Sequence, residues 1–300
     1  MPELPEVETV VRGLQAVLPG RRILEVRLGK TDFIENPAAI EQELPGKRVR
    51  AVCRQGKFLL VELEPRGEKT GDLGLLIHLG MTGQIRVCPP EAPVAPHTHV
   101  FLALDDGKEL RYTDTRRFGR MQLLVDGERE KALGSLGRDP LEMTKEQFAA
   151  AIGSRRARIK ALLLDQHVTS GVGNIYADES LWRARIHPMR IGATLRPTEI
   201  HRLYRATRDV LNEAIRLRGS SISDYVDSDG QRGEFQLRHR VYQRTGKKCF
   251  RCGATIRRAI VAGRSSHFCP RCQQGPRNSK PRGLRRRTNR KKRDSSLRSE

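Results

Sequence analysis

Residues 249–272 read CFRCGATIRRAIVAGRSSHFCPRC, which places four cysteines as Cys249-x2-Cys252-x16-Cys269-x2-Cys272. Each CxxC sets two thiolates about one tight turn apart, and the second pair closes a tetrahedron, so the spacing is that of a four-cysteine zinc site. Two disulfides are the alternative, disfavoured in a reducing compartment. Four thiolates leave no open position for water, so the zinc would be structural, replacing a core that so short a segment cannot build. Between the pairs, residues 257–268 predict a β-hairpin that turns at Gly263 and carries Arg257, Arg258 and Arg264. Such a hairpin suits a phosphate backbone; a solvated basic face is the plainer reading. Cys53 and Cys88 stand alone and read as inert, half-buried thiols.

This segment closes a chain of 300 residues with 57 Lys and Arg against 35 Asp and Glu, a formal charge of +22. The excess points to a polyanion, most simply nucleic acid, over an ordinary basic protein. Mean hydropathy is −0.57, and no apolar run approaches the roughly 20 residues of a membrane span. The longest, near residues 73–81, contains Gly74, His78 and Gly80. The opening Met1-Pro2-Glu3-Leu4-Pro5-Glu6 lacks the basic-then-apolar order of a signal peptide. No membrane partner and a cytosolic location are therefore expected. Residues 273–300 hold eleven Lys and Arg against Asp294 and Glu300, with almost no apolar side chains. That composition predicts disorder, and the rest of the chain remains basic without it.

Working back towards the N-terminus, the texture divides in two. Val7, Val10, Val11, Leu14, Val17 and Leu18 recur at helical spacing until Pro19-Gly20. Strand-length runs follow at residues 23–28, 49–53, 58–63, 75–79, 85–87, 100–104, 110–113 and 121–125, with a hairpin signal at Asp105-Asp106-Gly107. From about residue 135 the pattern turns helical. Thr144 and Gln147 form a capping-box pair, residues 159–164 and 175–184 flank the turn Gly171-Val172-Gly173-Asn174, and a long amphipathic helix opens at Pro197. Residues 219–240 read as a long polar loop, of the kind that often carries function. The expected architecture is α+β and multi-domain. An N-terminal helix and β-sandwich (1–133) precede a helical domain with a loop near 220–234 (134–240), a zinc finger (241–273) and a basic tail (274–300).

The first residues carry chemistry. Removal of Met1 would leave Pro2 as a free secondary amine, far less basic than lysine and able to attack an aldehydic sugar carbon to form an iminium. Glu3 and Glu6 could move protons beside it. Pro and acidic residues are also ordinary features of a helix start, so the local reading stays open.

The order of five separated segments narrows it. Met1-Pro2-Glu3-Leu4-Pro5-Glu6-Val7-Glu8-Thr9, Gly56-Lys57, His78-Leu79-Gly80-Met81, residues 112–119 (YTDTRRFG) and residues 171–176 (GVGNIY) lead to the finger with Gly263-Arg264. Over residues 1–273 this closely resembles the formamidopyrimidine-DNA glycosylases, bacterial base-excision enzymes for oxidised purines. The resemblance implies a helix plus β-sandwich, then a helix–two-turn–helix domain and a zinc finger. It implies that Pro2 attacks the sugar C1′, that Glu3 protonates the sugar or the leaving group, that Lys57 contacts phosphates and assists β-elimination, and that Arg264 clamps phosphates and assists δ-elimination. Asn174, His97, Arg116 and Arg155 would contact DNA, with His78, Lys160 and Tyr242 as weaker phosphate candidates. Met81, Arg116 and Phe118 would fill the hole left by the extruded base, and the loop 220–234 would fold over that base. Damaged duplex DNA would be the partner of a monomer in the bacterial cytosol or nucleoid.

Two departures stand out. Thr115 replaces the proline usual between Asp114 and Arg116, and the basic stretch beyond Cys272 exceeds the family pattern. That stretch would add non-specific affinity through counterion release, or be inert. An endonuclease VIII-like enzyme for oxidised pyrimidines is the runner-up. It is disfavoured by Leu4, where that branch typically has Gly, and by the Met81, Arg116 and Phe118 trio. A non-catalytic damage-binding protein would need Pro2, Glu3 or Lys57 to be lost, and all are present.

Overall fold

Glu3 caps the first helix, and its N–H donates to the Glu6 carboxylate at 2.8 Å. The helix, α1 (Leu4–Gln15), buries the predicted apolar stripe and stops three residues earlier than the periodicity suggested. The computed structural model describes residues 1–64, 72–222 and 225–275. The disorder expected of the basic C-terminal stretch falls, past Gly275, outside the described residues.

After α1 come β1 (Ile23–Leu28), β2 (Ile34–Glu35), α2 (Pro37–Glu43), β3 (Val49–Gln55), β4 (Phe58–Leu63), β5 (Leu73–His78), β6 (Gln84–Cys88), β7 (Thr98–Leu104), β8 (Glu109–Thr113) and β9 (Arg120–Leu124). They build two sheets, ordered β1-β7-β8-β6 and β2-β9-β5-β4-β3. All neighbours run antiparallel except β2 and β9. The inner faces share one core. Leu59, Val61 and Ile77 of one sheet meet Val100, Leu102 and Tyr112 of the other, and Val7, Val10 and Leu14 of α1 close the end. Each such side chain contributes about 1.5–3 kcal/mol on burial. The runs in β4 and β5 are apolar on both faces because α3 (Glu128–Leu133) covers the outer side, where Leu133 packs on Leu60, Leu76 and Leu124.

The second core is helical, formed by α4 (Lys145–Gly153), α5 (Ile159–Leu164), α6 (Asn174–Arg183) and α7 (Pro197–Arg216). Thr144 caps α4 as its sequence predicts, with Gln147 N–H donating to its hydroxyl at 3.2 Å. Leu4 belongs to this second core although the rest of α1 belongs to the first, so α1 joins the two halves. The finger hairpin is β10 (Arg257–Val261) and β11 (Arg264–Phe268). Both turn residues have positive φ, Ala262 at +50° and Gly263 at +70°, the signature of a tight hairpin. Trp182, Val241, Ile256 and the thiols form a small core beneath it. Among the described residues no helix is long and apolar enough to cross a membrane.

Candidate active site

The chain's first residues meet the helical half through close backbone approaches. Leu4 N–H donates to the Gly171 carbonyl at 3.0 Å. Pro2 and Glu3 are both buried, with Met1 exposed in front of them. The Glu3 carboxylate accepts from the N–H groups of Ile175 at 3.0 Å and Tyr176 at 3.4 Å, so it sits on the positive end of α6. Gly173 makes this possible, since a Cβ there would lie 2.2 Å from the carboxylate carbon. Burial raises the Glu3 pKa, while Lys57 and these two donors pull it back. Glu6 lies deeper. It accepts from the Tyr176 hydroxyl, from Ser220 N–H at 2.7 Å and from Glu3 N–H. Burial and the neighbouring Glu3 push its pKa to about 7.

Lys57 reaches the same place from the sandwich. Gly56 and Lys57 form the two-residue turn between β3 and β4, and Gly56 takes φ +59°, as the first residue of a type II′ hairpin does. The turn abuts Ser170, 3.0 Å from where a Gly56 Cβ would be. Lys57 is buried, and burial lowers its pKa; Glu3 raises it and Arg264 lowers it further. Glu3, Lys57 and Arg264 thus converge, although they come from three separate parts of the chain. His78 pairs across β4–β5 with Phe58, the residue after Lys57. Burial, Lys57 and Arg120 push its pKa to about 4, so the ring is neutral at pH 7. Its Nδ1 accepts from Gly80 N–H at 3.2 Å, which leaves Nε2 as the donor.

Met81, Arg116 and Phe118 occupy two loops that touch backbone to backbone. A Cβ on Gly80 would fall 2.4 Å from Gly119 N. All three side chains face solvent, Met81 at 39% and Phe118 at 52%, and the Arg116 guanidinium lies 4.5 Å above the Phe118 ring. Core packing is therefore not their purpose. Buried Asp114 holds the loop, accepting from the Tyr112 hydroxyl at 3.1 Å, from Gly119 N–H at 2.8 Å and from Thr82. His97 and Arg155 are exposed, His97 with φ +66°.

Two phosphate readings need correction. Lys160 is fully buried; its ammonium pairs with Asp178 at 2.7 Å and donates to the Ser265 carbonyl at 2.8 Å. It fastens β11 to α6 and has no free face for a phosphate. At Asn174, the cap residue is Gly173 and Asn174 is the first helical position. The next two N–H groups are taken by Glu3, because a carboxylate fills the place where an anion would bind. Asn174 instead lies against the Tyr242 hydroxyl, while the Tyr242 ring stands edge-on to His239 and His267.

The finger is tied down by carboxylates to which the sequence reading gave no role. Glu179 accepts from the N–H groups of Arg240, Val241 and Tyr242 at 2.9–3.0 Å. Asp178 accepts from His267 N–H at 2.8 Å and lies 3.0 Å from its Nδ1. An adjacent acidic pair in an otherwise apolar or small-residue helix was the available signal. The four thiols lie within 4.8 Å of one another, with Cys249 and Cys272 sulfurs 3.9 Å apart and those of Cys252 and Cys269 3.4 Å apart. Zinc–sulfur bonds of about 2.3 Å in a tetrahedron require sulfurs roughly 3.8 Å apart, so these residues fit one zinc ion.

Three family models match the chain. They are the formamidopyrimidine-DNA glycosylase N-terminal domain over residues 1–121, the formamidopyrimidine-DNA glycosylase H2TH domain over 136–226, and a zinc finger found in FPG and IleRS over 246–275. The formamidopyrimidine-DNA glycosylase of Pelotomaculum thermopropionicum is 46% identical over 282 residues, 91% of this chain and 99% of that one. That of Solibacter usitatus is 46% identical, over 91% of this chain and all of its own. The Lactococcus lactis Fpg in complex with DNA containing an abasic site superposes with a TM-score of 0.82 at 35% identity, covering 91% of this chain and 100% of that one. A MutM complex with DNA containing carbocyclic 8-oxo-G gives 0.81, also at 35% identity and with the same coverage. Fold, metal site and sequence agree, and the chain belongs to the formamidopyrimidine-DNA glycosylase family.

Proposed function

We propose that this DNA glycosylase excises oxidised purines, 8-oxoguanine and formamidopyrimidines, from duplex DNA and then cleaves the strand at the abasic site. One observation carries the reading: Glu3 is held on the N-terminus of α6, next in the chain to Pro2, with Lys57 facing it and Arg264 close to Lys57. Once Met1 is removed, the Pro2 nitrogen is a secondary amine. It attacks the sugar C1′, the base leaves with the amine proton, and the C1′–O4′ bond then opens with a proton delivered to O4′, so that an iminium joins protein to DNA. Buried Glu3, its pKa raised, supplies a proton in that step. Lys57, made less basic by burial, is suited to take the proton lost in β-elimination, and Arg264 to steady the departing phosphate.

Arg116 pairs with the orphaned base while Met81 and Phe118 wedge into the stack; their exposure supports this assignment. His97, Arg155, His78 and Tyr242 line the phosphate path, and Ser220 N–H on Glu6 couples the loop 220–234 to the catalytic helix. The enzyme acts as a monomer in the bacterial cytosol or nucleoid, in units bounded near residues 133, 240 and 273.

Borohydride reduction tests the reading. A duplex with 8-oxoguanine opposite cytosine should yield a covalent protein–DNA band that Pro2→Gly removes. A complex of the Lactococcus lactis enzyme with DNA containing an oxidised pyrimidine is known at 35% identity, so such a duplex runs alongside. A band mainly on that duplex would assign the chain to oxidised pyrimidines. No band on either, with Met1 shown to be absent, would refute the chemistry.

A further inference from the structure

Behind the finger, at the end away from Arg264, lies a cavity of about 600 Å³ lined by six arginines: Arg185, Arg190, Arg196, Arg202, Arg251 and Arg271. Glu199 is the one carboxylate in the wall, and it is already shared by Arg190 and Arg196, each 3.3 Å away. The zinc ligands Cys252 and Cys272 form part of the lining. A zinc tetrathiolate carries a formal charge of about −2, which still leaves the wall strongly cationic. Its strands are five residues long, so the hairpin separates this cavity from the Arg264 tip by roughly 17 Å.

Three of the guanidiniums, those of Arg190, Arg202 and Arg251, are held by protein partners. Arg202 donates to the Ala184 carbonyl at 2.6 Å, and Arg190 to that of Thr194 at 3.1 Å. Arg251 stacks 4.1 Å over the Trp182 ring and donates to its carbonyl. The guanidiniums of Arg185 and Arg271 are exposed and have no carboxylate or carbonyl partner among the described residues. The N-terminus of the twenty-residue helix α7 is capped by Glu199, which accepts from Arg196 N–H at 2.9 Å, so the arginine side chains supply the positive charge of the wall. Several arginine forks facing one cavity match phosphate oxygens. No aromatic ring lines the wall among the described residues, so the site offers a nucleobase no stacking platform.

We propose that this cavity is a second anion site, built for a phosphate-bearing ligand and separate from the cleft that holds the damaged duplex. Its ligand is a second DNA backbone segment or a free polyphosphate.

The test uses the full zinc-loaded chain with its cleft filled by a duplex containing a tetrahydrofuran abasic analogue. Tripolyphosphate is titrated by calorimetry into this complex and into the same complex of Arg185→Gln/Arg271→Gln. The double variant should bind roughly tenfold or more weakly, with zinc content and excision rate unchanged. Arg185→Gln alone, outside the finger, repeats the test if the double variant loses zinc. A second, undamaged duplex is then followed by sedimentation. Its binding to wild type but not to the variant identifies DNA as the ligand; tripolyphosphate binding without it identifies a free polyphosphate. Equal tripolyphosphate affinity in both proteins, no binding, or binding only of a hexaglutamate probe would overturn the proposal.

Discussion

Gly173→Ala should disable the enzyme without unfolding it. The added Cβ would stand 2.2 Å from the Glu3 carboxylate carbon and 2.5 and 2.6 Å from its oxygens. Gly173 has φ −128°, which any residue adopts, so the main chain has no reason to move. The carboxylate, at the far end of a rotatable side chain, moves instead and leaves the N–H groups of Ile175 and Tyr176. A hydrogen bond to a charged group contributes about 1.5–3 kcal/mol. The 3.4 Å contact is long and counts for little. A total of about 1.5–3 kcal/mol follows, which corresponds to roughly 10- to 160-fold in rate. Losing two donors that favour the ionised form also raises the Glu3 pKa further, so the limb of the pH–rate profile that Glu3 governs moves to higher pH. Single-turnover excision of an 8-oxoguanine duplex across pH, with thermal melts, measures both effects. A rate within about threefold of wild type and an unmoved profile would show that the contact with α6 does not serve catalysis.

Phe118→Ala should leave stability within about 0.5 kcal/mol, since the ring is exposed, yet slow excision at least tenfold by removing the wedge; an equal loss of stability and activity would make the ring a packing residue. Lys160→Met leaves Asp178 buried beside only His267, which should cost about 3–5 kcal/mol in denaturant unfolding; unchanged stability with a shallower salt dependence of DNA binding would restore the phosphate reading. Glu6 has its folded pKa raised from 4.5 to about 7, so its contribution is fully present below pH 4.5 and is lost as pH rises through 7. That amounts to about 3 kcal/mol. Glu6→Gln should flatten the pH dependence of unfolding free energy between pH 5 and 8, and parallel curves for the two proteins would refute the assignment.

The elements were legible where one period ruled. Alternation and hairpin signals located the eight principal strands, and the CxxC pairs located the metal site. Helix α2, strand β2 and helix α3 were missed because six- or seven-residue helices and a two-residue strand carry too little periodicity. At the site, residue types were readable but partners were not. Nothing in the local sequence tells a surface lysine from Lys160, whose burial depends on Asp178 and Ser265, 18 and 105 positions away. Likewise the Gly171-Val172-Gly173-Asn174 turn announced a helix start, but its anion proved to be a side chain from the third residue of the protein.

Helix α6 holds the Glu3 carboxylate at its N-terminal end, while Asp178 and Glu179, farther along, hold the finger. Ten residues at about 1.5 Å each make a strut of roughly 15 Å. Metal loss would release the N–H groups that satisfy two carboxylates buried in that strut, and their repulsion would loosen it along its whole length. The metal centre is therefore tied through one helix to a carboxylate at the opposite end of the chain.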